Sequence, residues 1–181
     1  MDIFRQAIVL CSMVLALSAL SGCAVRPLVL NQVADVLAMP GQDLEDDIHL
    51  AREASAFYLK LSESVLRETP GNLKLAESVA SGFTQYAYAF VSFEADQLQS
   101  KDARAAQRMK ERAARLYARA LGHAMTALEK TTPGFTKALM QADSSGSLRL
   151  AEAQVGVAYW AAASWGAHIS LSKDLPEVVA D

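Results

Sequence analysis

Arg104, Arg108, Arg112, Arg115 and Arg119 recur at spacings of four, four, three and four. On an α-helix that spacing lines five guanidinium groups along one strip about 22 Å long. Guanidinium forks bind carboxylates bidentately, so the strip suits Glu94 and Asp96 on a preceding antiparallel helix, or an acidic partner. A solvated face of an amphipathic helix has the same pattern. The strip is expected to divide, with Arg112, Arg115 and Arg119 structural and Arg104 and Arg108 available to a partner. Catalytic chemistry has no comparable support. The chain has no Gly-x-Ser-x-Gly elbow, no His-Glu-x-x-His pair and no glycine-rich phosphate loop. Its three histidines, His49, His123 and His168, fall on different helices without ligand spacing and read as polar residues rather than metal ligands. No catalytic residue, metal site or cofactor is expected, and the chain reads as a non-enzyme.

The other reactive residue is Cys23. It follows the apolar run Ala7 to Leu20, which is preceded by Arg5 and ends at small residues. That is the composition of a secretory signal. As a helix the run would be about 21 Å long, short of the hydrocarbon thickness of about 30 Å, so it would not span a membrane. Leu20-Ser21-Gly22-Cys23 resembles the bacterial lipobox, in which small residues admit the peptidase and the thiol takes a diacylglycerol before cleavage. The alternative is an ordinary signal peptide with a chance cysteine, and the n-region, with Arg5 offset by Asp2, is weakly positive. Lipidation would consume Cys23, and Cys11 would leave with the signal, so no disulfide could form in the mature chain. Two or three acyl chains make such an anchor effectively permanent. Ala24, where an aspartate would resemble an inner-membrane retention signal, favours the periplasmic face of the outer membrane. Residues 1–22 are thus the expected signal peptide and 23–42 a lipidated tether, irregular around Pro27, Pro40 and Gly41. The folded part is expected over 43–181. Its helices must hold the arginines in place.

Asp43 is the expected N-cap of the first helix, with Glu45, Asp46 and Asp47 in its first turn. Leu44, Ile48, Ala51, Ala54, Tyr58, Leu61 and Val65 form its apolar stripe. Thr69-Pro70-Gly71 ends it and Asn72 caps the next. That second helix runs from about Leu73 to Gln99, with Phe83, Tyr86, Phe90 and Phe93 as a core stripe and Tyr88 off it. Asp102 caps a third helix reaching about Lys130, in which Ala106, Met109, Ala113, Leu116 and Ala120 lie opposite the arginines. Thr132-Pro133-Gly134 stops it, a short apolar turn covers Phe135 to Met140, and Asp143 to Ser147 is a loop. Ser147 opens the last helix, roughly Leu148 to Ser172, which is apolar on nearly all sides and is expected to be the buried one. Alternating strand patterns are absent, so the class is all-α. The recurring Thr-Pro-Gly stops suggest antiparallel helical hairpins. Pro70 and Pro133 are 63 residues apart, nearly twice the 34-residue tetratricopeptide period, which describes tetratricopeptide-like hairpins with longer helices. The net charge of −3 gives no reason to expect nucleic acid as a partner.

Four runs carry a resemblance: Leu59 to Leu66 (LKLSESVL), Gly82 to Val91 (GFTQYAYAFV), Arg112 to Ala120 (RAARLYARA) and Tyr159 to Gly166 (YWAAASWG). Together with Pro133-Gly134-Phe135 and Ser172-Lys173-Asp174, and in that order, they resemble the T-component family of tripartite ATP-independent periplasmic transporters, the TRAP-associated helical lipoproteins called TatT. The resemblance implies an all-α lipoprotein that oligomerises and associates with a TRAP solute-binding protein, as an accessory with no catalytic residues. It also implies Tyr88, Arg112, Tyr117, Arg119, Tyr159, Trp160 and Trp165 as candidates for an internal cleft or interface, and a small organic solute as a candidate ligand. Family members usually continue through further hairpins, whereas this sequence stops at Asp181, which reads as a shortened member or a truncated frame. A general helical scaffold for envelope assembly is the alternative function.

Overall fold

The structure, a computed structural model, describes residues 27–39, 45–141 and 148–173. The expected signal segment, Cys23, the expected cap Asp43 and the expected loop Asp143 to Ser147 lie outside the described residues. The helices are α1 (27–37), α2 (Ile48–Glu68), α3 (Leu73–Ala87), α4 (Phe93–Leu98), α5 (Ala103–Thr131), α6 (Phe135–Gln141) and α7 (Val155–Leu171). A π-turn, Tyr88–Ser92, joins α3 to α4, and a short 3-10 turn, Glu152–Gln154, precedes α7. Among the described residues there is no strand, and no helix is long and apolar enough to cross a membrane. The protein is all-α.

Caps set most boundaries. Asn72 Oδ1 accepts from the Leu75 N–H at 2.9 Å, and Asp102 Oδ1 from the Ala105 N–H at 2.9 Å, each filling one of the donors that a helix start leaves open. The first long helix starts later than its acids suggested: Asp47 is its cap, accepting from the His49 and Leu50 N–H groups at 2.9 and 3.1 Å. At the end of α5, Gly134 adopts φ +85°, a left-handed conformation that a Cβ disfavours. Glu129 accepts there from the Gly134 and Thr136 N–H groups at 2.6 and 2.9 Å.

The central helix is α3, which packs on α2, α5 and α7. Its Leu75, Val79 and Phe83 meet Leu59 and Leu66 of α2, Ala124 and Leu128 of α5, and Val157 and Ala161 of α7. Each fully buried large side chain is worth about 1.5–3 kcal/mol. Ala106, Ala113, Ala120, Ala124 and Ala127 of α5 are fully buried, and α7 packs closely on this helix. A second cluster, Ala87, Val91, Ala113 and Tyr117, sits under the π-turn.

The structure departs from the expected pattern on four helices. The segment expected to be a tether is helical over 27–37, and its Ala34 is fully buried in the main core. On α2 the buried line is Leu59, Ser62, Glu63 and Leu66, while Ile48 and Leu61 are exposed. The stripe expected there is split. Tyr58 turns to α1, donating to the Leu37 carbonyl, and the polar Glu63 is drawn inward by cations of α2 and α5.

The aromatic stripe of α3 ends early, with Phe93 58% exposed. The extra residue of the π-turn rotates α4 by about 100° relative to an unbroken helix. Burial therefore runs Phe83, Ala87, Val91, Ala95, four residues apart each time. The last helix, α7, is not the buried one: its buried residues are only Val157, Ala161 and Ser164. Val155, Tyr159 and Trp165 are exposed. Gln154 defers its start by capping the Ala151 N–H at 3.0 Å and donating to Thr132 Oγ1 at 2.7 Å.

Candidate functional site

Helices α2 and α5 both lie on α3 but barely touch each other along their length. One charged group bridges the cleft between them. Glu63, 1% exposed, extends from α2, and Arg119 of α5 grips it bidentately, Nε to Oε1 and Nη2 to Oε2, both at 2.5 Å. One turn on, His123 Nε2 lies 2.8 Å from Oε1. Lys60 Nζ donates to Oε2 at 2.6 Å, and Arg67 Nη2 stands 3.2 Å from the same oxygen. Phe83 floors the cleft, stacked on His123 with ring centres 6.1 Å apart and lying under the Arg119 guanidinium at 5.0 Å.

The spacing that makes this possible is simple. Lys60, Glu63 and Arg67 are three and four residues apart on one face of α2, and Arg119 and His123 are four apart on α5. Burial alone would push the Glu63 carboxyl up, but hydrogen bonds from Arg119, Lys60 and His123 outweigh it and hold the pKa at about 2. Glu63, Lys60, Arg67 and His123 escaped the sequence reading as a group. The available signal was an acid flanked by bases on one face of α2. Which bases on another helix it would meet depends on how α2 and α5 straddle α3.

The arginine strip divides, though at a different point from the one expected. Arg119 alone pairs inward, and with Glu63 rather than with Glu94 or Asp96. Glu94 is held by Arg52, which also donates to the Phe90 carbonyl at 2.5 Å and lies 5.7 Å over the Phe90 ring. Asp96 faces Lys110 at 3.7 Å. Arg112 and Arg115, expected to be structural, are exposed like Arg104 and Arg108. No ion pair joins any of these four to another described residue. Their face of α5 points away from α3 and α7, because Ala106, Ala113, Ala120 and Ala124 occupy the opposite one.

The aromatic candidates do not converge on one cleft. Tyr88 is 68% exposed on the π-turn, near the buried Tyr117 of α5. Burial pushes the Tyr117 phenol up, and the adjacent Ser92 Oγ is itself buried without a hydrogen bond of regular geometry. On α7, Trp160 packs half-buried against the main core with Tyr159 edge-on to it at 5.2 Å, while Trp165 is exposed. A separate groove of about 480 Å³ runs between α2 and α3, lined in part by Ser55, Tyr58, Ser81, Gln85, Tyr86 and Phe90. No group of three or more potential metal ligands occurs among the described residues.

Two comparisons cover most of the chain. It is 26% identical to a protein of Treponema pallidum (strain Nichols) described only as uncharacterized, over 88% of this chain and 56% of that one. The chain thus spans little more than half the length of that curated relative. The family model for the TRAP transporter T-component matches residues 44–181, which include every helix from α2 to α7. By that match the chain belongs to the TRAP transporter T-component family.

Proposed function

We propose that the protein is a non-enzymatic periplasmic accessory of a TRAP-type transporter, anchored by lipid on Cys23 and docking the transporter's solute-binding protein. Family membership makes it a transporter component. The observation that carries the docking reading is the ridge of Arg104, Arg108, Arg112 and Arg115, four exposed guanidinium groups with no ion pair among the described residues. Such a ridge attracts an acidic surface and fixes its orientation by bidentate contacts. The groove between α2 and α3, with hydroxyl and aromatic walls, is the place for a small organic solute. The exposed apolar residues of α7 support self-association of the anchored protein. The lipobox at Leu20 to Cys23, with Ala24 behind it, supports the periplasmic face of the outer membrane.

The test is binding of the solute-binding protein encoded beside a TRAP permease in the same genome, measured on the full chain against the variant Arg104→Gln, Arg108→Gln, Arg112→Gln, Arg115→Gln. Binding should be lost in the variant and should weaken steeply with salt in the parent. Equal, salt-insensitive affinity for both proteins would refute docking through the ridge. No binding by the parent would refute the docking role itself.

A further inference from the structure

The cleft bridged by Glu63 carries more positive charge than it uses. Lys60, Arg67 and Arg119 are three cations in contact with a single carboxylate, Glu63, so two positive charges remain uncompensated before any proton on His123 is counted. The neighbouring acids are engaged elsewhere. Glu68 lines a different cavity, with Pro27, Leu30 and Asn31, and Glu129 accepts from Gly134 and Thr136.

The carboxylate is also crowded. It offers about four lone-pair positions, yet Arg119 occupies two, and Lys60 and His123 take one each. Arg67 arrives last, at 3.2 Å, close enough for an ion pair but without a hydrogen bond. Its side chain is 59% exposed and has no other acceptor among the described residues. A cavity of about 280 Å³ opens beside it, lined by Leu66, Arg67, Pro70, His123 and Thr126. That is just below the usual range for drug-sized ligands, about 300–1,000 Å³, so only a small ligand fits. His123 lines this cavity with its Nε2–H committed to Glu63, so only the doubly protonated ring, with a second N–H at Nδ1, can donate to an anion there.

We propose that Arg67 and His123, in the field of Lys60 and Arg119, form a binding site for a small oxyanion, a carboxylate or a phosphate, in the cavity between α2 and α5. Arg67 contributes a planar fork suited to two anion oxygens, and His123, when its ring is doubly protonated, a single Nδ1–H donor. Lys60 and Arg119 raise the local potential without having to leave Glu63. Leu66 and Pro70 wall the cavity and restrict its size. This site is separate from the arginine ridge, and its test does not depend on the transporter reading.

The experiment is calorimetric titration of the full chain in detergent with inorganic phosphate and with succinate, at constant ionic strength, with chloride as the control anion. Saturable binding of at least one oxyanion and none of chloride is expected, and which of the two binds identifies the source. Arg67→Gln should weaken that binding tenfold or more, Lys60→Gln should weaken it by a smaller factor, and Arg104→Gln with Arg108→Gln should leave it unchanged. Both cleft substitutions fall on exposed side chains, and an unchanged thermal unfolding curve without ligand separates loss of the site from loss of the fold. A bound oxyanion should raise the melting temperature of the parent but not of Arg67→Gln. Absence of saturable binding up to about 10 mM, well above the range of ordinary weak ligands, would overturn the proposal. So would equal weakening by the cleft and ridge substitutions, which would mean general charge attraction.

Discussion

Glu63 is the residue on which the fold is most sensitive to charge. Removing one partner of a buried ion pair leaves the other uncompensated and costs about 3–5 kcal/mol. Glu63→Gln is accordingly expected to destabilise by about 3 kcal/mol, the low end, because Lys60 and Arg67 can turn to solvent. Urea unfolding at neutral pH checks this. The pH dependence has a definite sign. With the folded-state pKa at about 2 against an ordinary value of 4.5, the stabilisation is fully present above 4.5 and is lost as pH falls from there toward 2. Stability of the parent should therefore fall through that window by more than stability of Glu63→Gln, and parallel acid profiles for the two proteins would contradict the assignment. The ridge should behave oppositely. Replacing Arg112 and Arg115 with Gln should change stability by about 0.5 kcal/mol or less, whereas Arg119→Gln should cost several times that.

A close approach at Gly82 and an irregular turn help to place the elements here. A Cβ added at Gly82 would lie 2.5 Å from Leu59 Cδ2, where α3 crosses α2. Leu59 is buried and has little room to move. Gly82→Ala is expected to destabilise by about 1–3 kcal/mol, as overpacking does, despite alanine's better helix propensity. A melting temperature equal to or above the parent's would show that α2 can shift. The π-turn makes a second prediction, on two phenylalanines ten residues apart in one aromatic run. Phe83→Ala should cost about 3–5 kcal/mol, but Phe93→Ser only about 0.5 kcal/mol or less, because the extra residue has turned Phe93 out to solvent. Comparable losses from both would mean that the stripe is a continuous core face.

At the scale of the whole molecule, α7 decides how the protein meets its surroundings. Val155, Tyr159 and Trp165 are exposed on a helix of high apolar content. The protein is expected to bind a hydrophobic dye or to self-associate, and Tyr159→Ser with Trp165→Gln to reduce either with little loss of stability. Unchanged dye binding and sedimentation in that variant would place the sticky surface elsewhere. The proposed attachment to the membrane is a separate matter of Cys23. Cys23→Ser should abolish both detergent partitioning and the mass gained from acyl chains, and a variant that retains them would rule out the lipobox reading.

The long helices from α2 on, their Pro-Gly stops and the caps at Asn72 and Asp102 could be read from the sequence, though α1 and the π-turn could not, because capping, helix propensity and Pro-Gly termination act within a few residues. The class and the family resemblance were legible for the same reason: periodicity and local runs survive without knowledge of the packing. The sequence also placed five arginines on one face of α5. It did not determine which of them is used internally. That required Glu63 on α2 to lie across α3 from Arg119, a juxtaposition of residues 56 apart in the chain. Tertiary structure likewise decided the faces of α2 and α7. A polar residue is buried where distant charges compensate it, as at Glu63, and an apolar residue stays exposed where no described element covers it, as at Tyr159. Both outcomes are set by what stands opposite a side chain, and the spacing of residues along one helix carries no information about that.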